Sequence, residues 1–118
     1  MAGLLGYFAY FKGWILNDFK NVSPQEAYVL LQNDNNITFV DVRSQKEFEK
    51  DHIEGAISIP LEFLSKHNIS SEKLLVYSER GEISVEASRI LVKRGYKVLN
   101  LKGGVVFWIR AGYEVGNL

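Results

Sequence analysis

The part of the sequence best suited to chemistry runs from Tyr77 to Ser84 and reads YSERGEIS. An apolar run (residues 74–76) precedes it and a helix-like pattern (residues 85–92) follows it, so we predict a strand, a tight loop and a helix. This order commonly builds a site for an anion or a nucleophile, because unpaired amides at the start of a helix point into the loop. The candidate ligand pocket consists of Ser78, Glu79, Arg80, Gly81, Glu82, Ile83 and Ser84.

The candidate nucleophiles of this loop are its two serines, Ser78 and Ser84. A serine attacks only when a base lies within hydrogen-bonding reach and a third group orients that base. The Gly-x-Ser-x-Gly elbow of many hydrolases is absent, because Gly81 and Ser84 have the wrong spacing. We therefore predict no catalytic residue: Ser84 is expected to cap the following helix and Ser78 to be a turn serine.

Composition excludes several classes of function. The chain has 118 residues, with 14 basic and 14 acidic side chains, so its formal net charge of zero gives no electrostatic case for nucleic acid. It contains no cysteine, which excludes disulfides, thiolate metal sites and a cysteine nucleophile. With only two histidines, we expect no metal site and no cofactor. The lack of cysteine and of a convincing signal peptide favours the cytoplasm.

The secondary structure expected around the loop alternates between strands and helices. Ser23, Pro24 and Glu26 combine an N-cap serine, a proline at the first helical position and a glutamate three residues after the serine. Ser44 and Glu47 repeat the spacing of this capping box. The predicted strands are 19–22, 37–42, 56–59, 74–77 and 98–101, and the predicted helices begin near 24, 45, 61, 85 and 105.

This alternation predicts an α/β fold, with a doubly wound central parallel sheet and helices on both faces. In such sheets the ligand crevice lies beyond the carboxyl ends of the strands, where Asp41, Ser78 and Lys102 are expected. We expect Asp41 and Arg43 to form a structural pair that braces the loop. Gly103 should belong to a turn that needs unusual dihedral angles. The helix after the loop is expected to bury Val85, Ser88, Leu91 and Val92 and to end at Gly95.

The first sixteen residues, MAGLLGYFAYFKGWIL, are unusually apolar. They lack a basic n-region, are interrupted by Lys12, and fall short of the roughly 20 residues that span a bilayer. Three alternatives stay open: a helix docked on its own domain or on a second chain, an interfacial membrane helix, and a spanning anchor. The first is favoured, so we expect a protein partner or a homo-oligomer to use this segment. We divide the chain into this segment (1–18) and one domain (19–118).

Three motifs in order resemble those of rhodanese-like domains. FVDVRSQKEFEKDHIEGAISIP is similar to the family signature, NVSPQEAYVLL to its opening helix, and LNLKGGVVFW to its closing motif. The resemblance runs from about Lys20 to Gly116 and implies the doubly wound fold. In active members it implies a loop of the type Cys-Arg-x-Gly-x-Arg, whose cysteine carries sulfane sulfur as a persulfide. It also implies that His52 supports the loop, while His67 lies in a polar connection.

This chain departs from the family at the loop. Ser78 stands where the cysteine belongs, Glu79 and Ile83 replace the two arginines, and Gly81 is retained. Serine cannot store a transferable sulfur, and the loop carries a net charge of −1 where the active loop is positive. The resemblance therefore implies a binding or regulatory module without sulfurtransferase activity. Two alternatives stay open: an enzyme that handles sulfane sulfur with a partner's cysteine, and an oligomeric or membrane-peripheral scaffold.

Overall fold

The centre of the fold is a five-stranded parallel sheet in a computed structural model, which describes residues 18–118. The strand order is β1-β5-β4-β2-β3. Every crossover between neighbouring strands passes over a face of the sheet, as in a doubly wound α/β fold, and the predicted class is confirmed. The strands are β1 (Lys20–Val22), β2 (Ile37–Asp41), β3 (Ile57–Ser58), β4 (Lys73–Tyr77) and β5 (Lys97–Leu101).

Helices cover both faces of the sheet, so the central strands are apolar on both sides. In β4, Leu75 and Tyr77 join a core with helices α1 and α4, whereas Leu74 and Val76 join a second core with α3. This is why residues 74–77 form a continuous apolar run and show no alternation. The helices are α1 (Pro24–Asn33), α2 (Gln45–Lys50), α3 (Glu82–Lys93) and α4 (Gly104–Arg110), with a 3₁₀ turn at Leu61–Phe63.

Both predicted capping boxes are confirmed. The Glu26 amide donates to Ser23 Oγ (3.1 Å), and the Ser23 amide donates to Glu26 Oε1 (2.8 Å). At α2 the Glu47 amide donates to Ser44 Oγ (3.1 Å), and the Ser44 amide donates to Glu47 Oε1 (3.4 Å). These short-range bonds fix where each helix begins, so the chain enters both helices at a defined angle.

The buried face predicted for α3 is correct at Ser88 and Leu91 and wrong at two other positions. Val85 and Val92 are only half-buried, whereas Ser84 and Ala87 are buried in their place. Gly95 ends the helix with a φ of 96°, as predicted. The buried residues of α3 are Ser84, Ala87, Ser88 and Leu91.

The predictions for the apolar segment of residues 1–16 lie outside the described residues. At the first described position, Asp18 Oδ2 lies 3.9 Å from Arg89 Nε on α3. Phe19 packs against the core on the α3 face. Within residues 18–118, none of the helices has both the length and the apolar character required to cross a membrane.

Candidate functional site

The predicted loop follows β4 at the carboxyl edge of the sheet and leads into α3. Ser78 is fully buried, and Glu79 is half-buried beside it. The exposed residues of the loop are Arg80, Glu82 and Ile83. Asp41 ends β2 beside Tyr77, so it lies next to the base of the loop. Lys102, the third residue predicted at a strand end, is exposed just past β5.

Ser78 is a turn serine, as predicted, and also serves the start of α3. The backbone N–H groups of Gly81 and Ser84 donate to Ser78 Oγ at 3.1 and 3.2 Å. Helix α3 begins at Glu82, so this oxygen satisfies an amide of its first turn from outside the helix. The prediction that Ser84 caps the helix was wrong, because Gly81 is the N-cap residue, with a φ of 103°. Ser84 Oγ instead donates to the Gly81 carbonyl (3.1 Å).

We expect Ser78→Ala to lower the free energy of unfolding by about 1–2 kcal/mol, since it removes the acceptor of the buried Ser84 amide and of the partly buried Gly81 amide. Ser84→Ala is the matched control. It removes one donor and replaces it with a better helix former, so its effect should stay below about 1 kcal/mol. Urea denaturation followed by circular dichroism measures both values. An equal or reversed order would show that Ser78 does not cap α3.

Backbone hydrogen bonds hold the loop against α4. The Val105 amide donates to the Ser78 carbonyl (3.0 Å), and the Val106 amide donates to the Glu79 carbonyl (3.1 Å). The approach is so close that a Cβ at Gly104 would lie 2.3 Å from the first of these oxygens and 2.5 Å from the second. Gly103 and Gly104 have φ values of 79° and 62°, which confirms the predicted glycine turn.

A buried guanidinium links the loop to the neighbouring strand. Arg43 Nη2 lies 2.8 Å from Asp41 Oδ2, and Arg43 Nη1 lies 2.9 Å from Asp51 Oδ1 and 3.0 Å from Glu79 Oε1. Burial by itself lowers the pKa of Arg43, but the bonds to the carboxylates outweigh it and raise the pKa above its ordinary value. Arg43 also donates to the Asp51 carbonyl oxygen. One fully charged side chain thus joins three carboxylates from separate parts of the chain.

Tyr77, at the end of β4, has a neutral hydroxyl that hydrogen-bonds the chain beside the Arg43 cluster. Burial raises the pKa of its phenol above the ordinary range, and the charge of Asp41 raises it further. The Ile53 amide donates to this hydroxyl (3.0 Å), which fixes the turn after α2. The Arg43 guanidinium carbon lies 6.0 Å from the centre of the Tyr77 ring.

Of the two histidines, the side chains best suited to act as a general base, one is engaged elsewhere and the other is exposed. His52 Nδ1 bonds the Phe48 carbonyl (2.7 Å), and its ring stacks on Phe48 with the centroids 4.0 Å apart. His67 is exposed. Within residues 18–118, no hydrogen bond joins either histidine to Ser78 or Ser84. In the described part of the chain, neither serine is therefore paired with a histidine as in a Ser-His-Asp triad.

Sequence reasoning missed the links from Arg43 to Glu79 and Asp51. The pairing of Arg43 with Asp41, only two residues away, can be inferred locally, but Glu79 lies 36 residues further along the chain. The only available signal was that a charged residue two positions past a buried strand needs partners if it is buried.

The sequence model described as "Rhodanese-like domain" matches residues 23–111. This chain belongs to the rhodanese-like domain family. Its rhodanese-like domain is 32% identical over 94 residues to Thiosulfate sulfurtransferase GlpE of Coxiella burnetii, an alignment that covers 76% of this chain and 87% of that protein. It is 29% identical over 84 residues to Probable molybdopterin-synthase adenylyltransferase of Porphyra purpurea, which covers 67% of this chain and spans only 22% of that protein's length.

The crystal structure of a rhodanese-related protein from Thermoplasma volcanium shares the fold of this rhodanese-like domain. The TM-score is 0.73 at 24% identity, and the match covers 83% of this chain and 98% of the other. The described domain thus has the fold of a rhodanese-related protein. The chain as a whole nevertheless contains no cysteine.

Proposed function

We propose that this rhodanese-like domain is inactive as a thiosulfate sulfurtransferase and serves as a binding or regulatory module. The observation that carries the proposal is the state of Ser78, at the position where the family resemblance places the sulfur-carrying cysteine. Its Oγ is buried and accepts hydrogen bonds from Gly81 and Ser84. The side chain at the reactive position thus has a structural task.

The chemistry of sulfur transfer supports the same conclusion. A thiolate attacks the outer sulfur of thiosulfate, the sulfur–sulfur bond of the donor breaks, and sulfite leaves with the electron pair. The persulfide that remains passes its outer sulfur to cyanide, which becomes thiocyanate, and the thiolate is restored. The first step needs a thiolate, which a cysteine provides from a pKa near ~8.5, whereas a serine hydroxyl is far less acidic. No residue of this chain can replace it, since cysteine is absent.

The charges around the loop also disfavour an anionic donor. Glu82 is exposed at the loop, and the side chain of Glu79 is 45% exposed although it pairs with Arg43. Arg43 is already shared with Asp41 and Asp51, so it has no uncompensated positive charge to offer. Arg80 is exposed as well, so the loop keeps a net charge of −1, which repels an incoming dianion.

The test is the formation of thiocyanate from thiosulfate and cyanide. The wild-type chain is expected to stay at the rate of a sample without protein, because it has no thiolate. Thiosulfate sulfurtransferase GlpE of Coxiella burnetii serves as the positive control. Thiocyanate formed by the wild-type chain in proportion to its concentration would overturn the proposal.

A gain-of-function variant separates the lost nucleophile from a changed scaffold. We expect the triple variant Ser78→Cys, Glu79→Arg and Ile83→Arg to form thiocyanate measurably, because it restores the thiolate and the positive loop on an intact fold. Ser78→Cys alone is the matched control and should give a lower rate, since Glu79 remains. A triple variant without activity would contradict the view that only the loop side chains prevent catalysis.

The same proposal places partner contact on the apolar segment of residues 1–16 and the protein in the cytoplasm. The first rests on the three- and four-residue spacing of Leu4, Phe8, Phe11 and Ile15, which predicts an apolar helical face. The second rests on the absence of cysteine from the chain.

A further inference from the structure

A cavity of about 280 Å³ lies between the second half of α1, helix α4 and the chain that follows α4. Two features stand out in its lining: an aromatic cluster and a pair of carboxylates. No residue of the loop 78–84 lines it, so it is separate from the candidate ligand pocket. The residues that matter for what it binds are Tyr28, Trp108, Tyr113, Glu54 and Glu114.

The aromatic cluster presents a tyrosine ring at the surface. Tyr28 stacks on Tyr113, with ring centroids 4.3 Å apart and ring planes 7° apart. Trp108 packs at a tilt against both rings, at 6.1 and 4.9 Å. Trp108 is itself buried, and its Nε1–H donates to the Glu114 carbonyl (3.0 Å), which fixes the chain beside the cavity. Tyr28 stays 37% exposed, so this preformed stack still offers aromatic surface to a ligand.

The charge of the cavity is negative and uncompensated. Glu54 and Glu114 are both exposed, and neither forms a salt bridge with another residue in the described range 18–118. No lysine or arginine is among the described residues that line the cavity. Aromatic faces beside carboxylates attract a cation, because the ring quadrupole and the negative charges act in the same direction.

The size and the lining of the cavity favour an arginine side chain over a larger ligand or a lysine. At about 280 Å³ it falls just below the range of roughly 300–1,000 Å³ typical of small-molecule sites, so it suits a single side chain. A guanidinium is planar, weakly hydrated and able to stack on a ring while it donates to carboxylates, whereas the ammonium of lysine is a compact and strongly hydrated charge. We propose that this cavity binds an arginine side chain of a protein partner. This deepens the proposed binding module and rests on it.

The test is a nuclear magnetic resonance titration of the full chain with a capped Gly-Arg-Gly peptide. The arginine peptide should shift the Trp108 indole and the amides of residues 112–114. A capped Gly-citrulline-Gly peptide, which is neutral and nearly isosteric, should bind at least about fivefold more weakly, since it lacks the charge that the rings and carboxylates attract. Equal binding of the two peptides, or shifts confined to other regions, would overturn the proposal.

Paired variants identify the carboxylates responsible. Glu54→Gln with Glu114→Gln should weaken binding of the arginine peptide at least about fivefold. Glu62→Gln with Glu86→Gln removes the same number of exposed charges elsewhere and should leave binding within about twofold. Equal losses in the two pairs would show a general charge effect and refute a specific site.

Tyr28 provides a further pair of variants. Tyr28→Phe keeps the ring and should retain binding, whereas Tyr28→Leu removes the aromatic face and should weaken it as much as the loss of both carboxylates. Retention of binding in Tyr28→Leu would contradict the stacking role. The titrations and the thiocyanate assay are independent. Thiocyanate formed by the wild-type chain would refute the inactive domain but would not change the peptide titrations. Loss of arginine binding would refute the arginine site but would not restore sulfur transfer.

Discussion

Replacing Arg43 with alanine is expected to lower the free energy of unfolding by about 3–5 kcal/mol. The side chain of Arg43 is 3% exposed, and Asp41, its closest carboxylate partner, is fully buried. Without the guanidinium, Asp41 would keep a negative charge with no opposite charge beside it, and Glu79 would lose its link to β2. Urea unfolding at neutral pH, followed by tryptophan fluorescence and circular dichroism, gives the difference.

Two variants show whether the loss comes from an unpaired buried charge. Arg89→Ala removes an arginine whose side chain is 62% exposed and whose partner Asp18 lies 3.9 Å away, so it should change stability by less than about 1 kcal/mol. Adding Asp41→Asn to Arg43→Ala should recover part of the loss, because the stranded charge is removed. If Arg43→Ala and Arg89→Ala have similar effects, the buried cluster does not stabilise the loop.

The second large effect is expected at Gly104. Gly104→Ala should lower the free energy of unfolding by about 2–5 kcal/mol, the sum of an unfavourable left-handed conformation and an overpacked contact. The φ of Gly104 is 62°, and the added Cβ would lie 2.3 Å from the Ser78 carbonyl oxygen. That oxygen belongs to the backbone, so the contact can be relieved only if the loop or α4 moves.

Gly55 provides the matched control for this prediction. Its φ is 87°, and an added Cβ would have nothing within 4 Å. Gly55→Ala should therefore lower the free energy of unfolding only by the cost of the left-handed conformation, about 1–2 kcal/mol. Thermal unfolding of both variants measures the difference, which isolates the close approach of α4 to the loop. Equal shifts in melting temperature would mean that the chain absorbs the contact without strain.

The features that the sequence predicted correctly depend on neighbours within a few residues. Ser23 with Glu26, and Ser44 with Glu47, mark helix starts because each pair closes its hydrogen bonds within one turn. The apolar run before Tyr77 predicts a strand buried on both faces for a similar reason, since every position in it must avoid water. Three motifs in a fixed order then indicated the family.

The features that the sequence did not predict depend on contacts between distant parts of the chain. Ser78 and Ser84 lie on the same loop. Which of the two hydroxyl oxygens accepts an amide from the first turn of α3 depends on where that turn lies in the folded domain. The link from Arg43 to Glu79 crosses from one strand end to the next. The stack of Tyr28 on Tyr113 joins helix α1 to the chain that follows α4, at opposite ends of the domain's sequence. Patterns within a single element carry no information on such pairs.

The way the loop is held has a consequence for protein engineering. Amides of α4 donate to the backbone carbonyls of Ser78 and Glu79, and the amides of Gly81 and Ser84 donate to Ser78 Oγ. These hydrogen bonds set the path of the loop. The side chains of Arg80, Glu82 and Ile83 take no part in these bonds and reach solvent. The loop is thus a display surface, on which these three outward positions can be randomised to select new binders, while Gly81 between them is kept because its φ is 103°.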